Sequence, residues 1–130
     1  MAELFDILAH QFSKVENIDV TAIDPDWLDL ITLATPTLAA GTYQATASIQ
    51  FHINSVNTDL LYQFSEDGGA NWGPVYMKRI KGKDNIEVLE VIELIELAAD
   101  TALDIRCRVA KSADEACEIT KGYLMIERKR

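Results

Sequence analysis

The sequence predicts an all-β protein, an antiparallel two-sheet sandwich carrying a short N-terminal helix or arm. Three observations predict it. From Tyr43 the residues alternate: Tyr43, Ala45, Ala47, Ile49, Phe51 and Ile53 fall on one face, and Thr42, Gln44, Thr46, Ser48, Gln50 and His52 on the other. A period of two over that length is a strand with one buried and one wet face. Next, Leu60, Tyr62 and Phe64 resume the alternation and run into Ser65-Glu66-Asp67-Gly68-Gly69-Ala70-Asn71-Trp72, a glycine-rich turn closed by tryptophan. Finally, about eight such segments, joined by short turns, can be counted along the chain.

Composition bounds the reading. At 130 residues and 48% hydrophobic content the chain fits one domain with a packed core. No window approaches the roughly 18 unbroken apolar residues of a membrane span, and the acidic start lacks a secretory leader's charge. Two cysteines are too few for a disulfide framework, so the expected setting is a reducing cytoplasm. The net charge of −9 repels a phosphate backbone and argues against nucleic-acid binding. Residues 1–77 carry ten carboxylates and one base, while residues 78–130 carry eleven of each. The cluster Lys78, Arg79, Lys81 and Lys83 reads as a solvated tip rather than an anion site.

Taken in order, Leu4, Phe5, Leu8 and Phe12 recur at helical spacing, which predicts a short amphipathic helix over Met1–Ser13. A helix of about 12 residues is marginal alone and needs a surface to lie on. That surface is either its own domain or a neighbour. Val15–Ile23 reads as a weak strand. Asp24-Pro25-Asp26-Trp27 offers a cap followed by proline, the start of one helical turn. Asp24, Asp26 and Asp29 lack the glycine-centred loop of a calcium site. Leu30–Ala34 is a short strand ended by Thr35-Pro36. The predicted division is thus an arm over 1–30 and a sandwich over 31–130.

Beyond Trp72, Val75–Ile80 is a strand. Residues 86–97 place glutamates at 87, 90, 93 and 96, a threefold spacing that fits neither period, and helix competes with strand there. Their Ile and Val content favours a strand, its alternation repaired by a bulge near Glu90. Leu103, Ile105, Cys107 and Val109 alternate with Asp104, Arg106 and Arg108, and Cys117–Arg128 closes the chain. Cys107 and Cys117 lie five residues either side of Ser112, so a hairpin centred there would set them opposite each other as a cross-strand pair, expected as free thiols. Leu38-Ala39-Ala40-Gly41-Thr42 is echoed by Leu97-Ala98-Ala99-Asp100-Thr101, which predicts two similar corners at one end of the sandwich. Eight strands are the number of a jelly roll.

Two resemblances follow from these residues. Ser65-x-Asp67-x-Gly69-x-Asn71-Trp72 resembles the Asp-box, S-x-D-x-G-x-T-W, with Asn71 in place of threonine. The resemblance implies that Asp67 braces a turn through backbone N–H groups, that Gly68 and Gly69 supply positive φ, and that Trp72 covers the turn; it implies no glycosidase chemistry. Over residues 36–128, the order P-T-L-A-A-G-T-Y, a long alternating strand, D-G-G-x-N-W, E-L-A-A-D-T and Y-L-M-I-E-R-K is similar to small jelly-roll proteins of tailed bacteriophages, the capsid decoration (cement) proteins and tail or fibre modules. This implies a virion structural protein, made in the host cytoplasm, usually a homotrimer that binds major capsid or tail proteins. Leu4, Phe5, Leu8 and Phe12 would then be its anchor. The alternative is a carbohydrate-binding jelly roll, with Tyr62, Trp72 and Tyr76 as its candidate aromatics. His10 and His52 sit in no nucleophile or metal motif, so no enzyme, cofactor, metal or membrane role is expected.

Overall fold

The computed structural model describes residues 11–79, 82 and 85–129. Eight strands follow one another: β1 (Gln11–Asp19), β2 (Leu28–Leu38), β3 (Gly41–Ile53), β4 (Asp59–Ser65), β5 (Tyr76–Arg79), β6 (Glu87–Leu97), β7 (Thr101–Lys111) and β8 (Cys117–Arg128). They form two four-stranded antiparallel sheets, ordered β1-β8-β3-β6 and β2-β7-β4-β5. First pairs with eighth, second with seventh, third with sixth and fourth with fifth. The chain is therefore one long hairpin rolled into a sandwich, the jelly-roll topology.

The alternation of β3 is what the core is built on. Tyr43, Ala45, Ala47, Ile49, Phe51 and Ile53 are all buried, and β3 lies between β8 and β6. Facing them from the other sheet are Leu60, Tyr62 and Phe64 of β4 and Leu103, Ile105, Cys107 and Val109 of β7. Apolar side chains of both inner faces thus fill one layer between the sheets.

Corners connect the two sheets, and two of them meet. The β2–β3 and β6–β7 turns lie at one end, where Ala40 N–H donates to Asp100 Oδ1 at 3.1 Å. This is the arrangement expected from the repeated Leu-Ala-Ala segment.

Six expectations are corrected. The anticipated helix over Met1–Ser13 lies partly outside the described residues, but Gln11–Ser13 belong to β1 and pair with Ile126, Met125 and Leu124. The free edge of β8 offers these residues a full hydrogen-bond ladder, which a marginal helix cannot match. The sandwich thus takes in residues assigned to the arm, and the boundary expected at residue 30 falls inside β2. Asp24–Asp26 forms a tight turn with a cis Asp24–Pro25 bond, closed by Asp26 N–H to the Ile23 carbonyl at 2.9 Å, rather than a helical turn. Strand pairing resumes at once, with Leu28 opposite Val109. β2 also runs through Pro36, which sits within a register shift between Ala34 and Thr37 on an edge strand, where a missing N–H costs little.

β6 is a strand, but it has no bulge: its register against β3 is unbroken from Gly41↔Leu97 to Phe51↔Glu87. Finally, β7 and β8 do not form a hairpin. They lie in different sheets, so Cys107 and Cys117 are not cross-strand partners. Residues 112–116 cross the sandwich instead of turning within a sheet, because β8 pairs with β1 and β3. Both cysteines are buried and free.

Candidate functional site

Two surface features carry more chemistry than the rest of the described residues. The first is the β4–β5 connection, built around Ser65. This serine is buried, 2% exposed, at the end of β4. Its hydroxyl donates to Asp67 Oδ1 at 2.8 Å and accepts the Gly69 N–H at 3.0 Å. Asp67 Oδ1 also accepts the Asn71 N–H at 2.9 Å, and Oδ2 accepts the Asn71 side-chain amide at 2.8 Å. These bonds, the Asn71 side chain first, hold the Asp67 carboxyl down at about 2. The chain can close so tightly because Gly68 and Gly69 adopt φ of 73° and 89°. A Cβ on Gly69 would stand 3.3 Å from the Trp72 ring.

Trp72 is half-buried against this turn, and its ring is covered by Arg108 of β7, whose guanidinium carbon lies 4.0 Å from the ring centroid. The same guanidinium stands 4.9 Å from the Trp27 ring and donates to Gln63 Oε1 at 2.7 and 3.0 Å. One cation thus holds the β1–β2 connection and the β4–β5 turn by cation–π attraction and β4 by hydrogen bonds. No local sequence pattern marks this triad, since its members are brought together by sheet pairing of Gln63 with Arg108.

Beside the turn lies an open cleft of about 270 Å³, lined by Phe64, Glu66, Asn71, Trp72 and Glu93 among others. The Glu66 carboxyl is pushed up by partial desolvation and by the nearby charges of Asp67 and Glu93. Tyr76 donates to Glu93 at 2.8 Å, which raises the tyrosine's own pKa and ties β5 to β6 across the side of the sandwich. Of the three candidate aromatics, Tyr62 is wholly buried and its hydroxyl meets the Cys107 thiol; Tyr76 and Trp72 are half-buried.

The second feature is the flank formed by β5 and β6. Of the exposed large apolar residues, Val75, Met77, Ile86, Val88, Ile92 and Leu94 all lie here, leaving only Val56 elsewhere among the described residues. Along β6, Leu89, Val91 and Ile95 point into the core, which turns Val88, Ile92 and Leu94 outward. The expected bulge would have rephased the strand and hidden this face. The sequence signal was there, as apolar residues at the wrong parity. Of the expected anchor, Leu4, Phe5 and Leu8 lie outside the described residues, as does His10, and Phe12 sits on β1 opposite Met125.

With this geometry in hand, comparison with known proteins speaks to the fold. No family model matches the sequence, and no curated protein matches it. Among solved structures the chain is similar to a chain in the structure of infectious bursal disease virus, Gt strain, with a TM-score of 0.64 at 6% identity over 92% of its length. It is likewise similar to the infectious bursal disease virus VP2 subviral particle, at 0.61 and 7% identity. The T=1 particles derived from the same virus give 0.61 and 8%. The chain has a jelly-roll fold of the kind found in these viral particles. It spans only 32% of the length of those chains.

Proposed function

We propose that this chain is a structural component of a virion, in which it binds other virion proteins rather than a substrate. The observation that carries the reading is the rolled-hairpin topology matched over 92% of the chain by proteins of viral particles. Within it, the resemblance to phage decoration, cement and tail proteins makes a tailed bacteriophage the source, with a homotrimer as the assembled form and the virion as its location. The apolar residues Leu4, Phe5 and Leu8 precede β1 and serve as the anchor, while the sandwich supplies a rigid body. The reading assigns the chain no catalysis, no cofactor, and no nucleic-acid or membrane partner; the net charge of −9 supports the absence of a nucleic-acid partner.

The test is the stoichiometry of the chain in purified particles, together with a variant lacking residues 1–10. Truncation stops there because Gln11 already pairs with Ile126. The truncated protein should stay folded and fail to join particles. Its absence from particles as the full chain would overturn the reading. A carbohydrate-binding role is the second reading, favoured by Trp72 sharing its cleft with Glu66, Asn71 and Glu93. Glycan binding abolished by Trp72→Ala would establish it.

A further inference from the structure

We infer that β6 is a self-association edge, pairing antiparallel with β6 of a second copy about a twofold axis through Ile92. The inference concerns the isolated chain and goes beyond the virion reading. β6 is the last strand of its sheet, eleven residues long and free of bulges, so its outer edge presents an unbroken row of backbone groups. Edges of this length are normally blunted by a bulge, a proline or an inward charge. Here the inward Glu93 in mid-strand is already held by Tyr76 of its own sandwich at 2.8 Å, so it leaves the edge open.

The glutamate spacing selects the antiparallel orientation for that second copy. A parallel, in-register pairing would set Glu87, Glu90, Glu93 and Glu96 against their own copies. An antiparallel pairing centred on Ile92 sets no glutamate against another. Glu90 then faces Leu94 of the second copy, Val88 faces Glu96, and Ile92 faces itself. With the axis normal to the sheet, the exposed sides coincide, and Ile92 and Leu94 of each copy join in one apolar cluster across the junction. Ile92 and Leu94, 55% and 67% exposed, are the most exposed apolar residues of β6 itself.

Size fits a weakly held second copy. Ile86, Val88, Ile92 and Leu94 expose on the order of 400 Å² of apolar surface per copy, of which edge pairing covers the flanks; with the edge backbone and glutamate stems the interface falls at the small end of specific ones, below roughly 1,200 Å², the size of a weak dimer. The product is a continuous eight-stranded sheet spanning two sandwiches. A threefold contact elsewhere on the molecule is compatible with it.

The full-length protein should sediment as a dimer at about 100 µM. Ile92→Lys should weaken association by on the order of a hundredfold, because each dimer carries the change twice at its axis. Its melting should match the wild type, since the side chain points outward. Under mild oxidation Ile92→Cys should give a cross-linked dimer in high yield, with Val88→Cys and Leu94→Cys well below it, because only position 92 meets itself. A wild type monomeric at that concentration, an Ile92→Lys variant that still dimerises, or cross-linking strongest at 88 or 94 would overturn the inference. If wild type is monomeric yet Ile92→Lys abolishes joining to particles, the edge binds another virion protein and the second copy is excluded. A dimer that never enters particles would defeat the virion reading and leave this one intact.

Discussion

Ser65→Ala tests whether the β4–β5 turn is held by its side-chain hydrogen bonds or by its glycines. The hydroxyl gives one bond to an ionised carboxylate at 2.8 Å and takes one from the Gly69 N–H at 3.0 Å, at a residue only 2% exposed. Removing it deletes a charge-assisted bond and leaves a partly buried N–H without its acceptor. Together these cost about 2 kcal/mol, the lower part of the range because Asp67 keeps both Asn71 donors. At roughly 2 cal/mol/K of unfolding entropy per residue, a 130-residue domain should lose about 7 °C in melting temperature. Differential scanning calorimetry measures this directly, with Ser48→Ala on the outer face of β3 as the control. A Ser65→Ala variant that melts with the control would refute the reasoning and assign the turn to Gly68, Gly69 and Trp72 alone. Combining Ser65→Ala with Asp67→Ala should be less than additive, since the two share one bond.

Further outcomes follow from the same structure. Folding depresses the Asp67 carboxyl to about 2 from its usual 3.8, so its contribution is complete above pH 4 and is lost as pH falls toward 2. The stability gap between wild type and Asp67→Asn should close across that window in acid titration; a gap that widens there would show the sign to be wrong. Burial pushes both the Cys107 and Cys117 thiols up to about 12, so neither should react with a thiol reagent at pH 8 until the protein is unfolded. Phe51→Ala, at a wholly buried site, should cost about 3–5 kcal/mol in urea unfolding. Arg108→Ala should uncover two indole rings and red-shift tryptophan emission without unfolding the sheet; unchanged emission would separate Arg108 from the rings it stacks on.

Period-two alternation settled much by itself. In β3, β4 and β7 each core residue is specified by its own strand, because a one-residue slip would turn the whole apolar set outward. The local chemistry of Ser65–Trp72 was legible for a similar reason. Its bonds span at most four residues, so the sequence holds donor, acceptor and glycine in one stretch. What the sequence left open depends on partners far along the chain. Cys107 and Cys117 look like a hairpin pair until β8 is claimed by β1 and β3, and a ten-residue separation carries no information about that choice. Gln11–Ser13 have helical spacing to their N-terminal side, yet the edge of β8 makes them a strand. Pro36 reads as a stop but lies at an irregularity of an edge strand. The glutamates of β6 read as faults needing a bulge; only the unbroken ladder to β3 shows that Val88, Ile92 and Leu94 face outward. Side-chain period is a property of single strands and is written in the residues. Strand order and edge position are decided by competition between distant segments, and only the folded sandwich records its outcome.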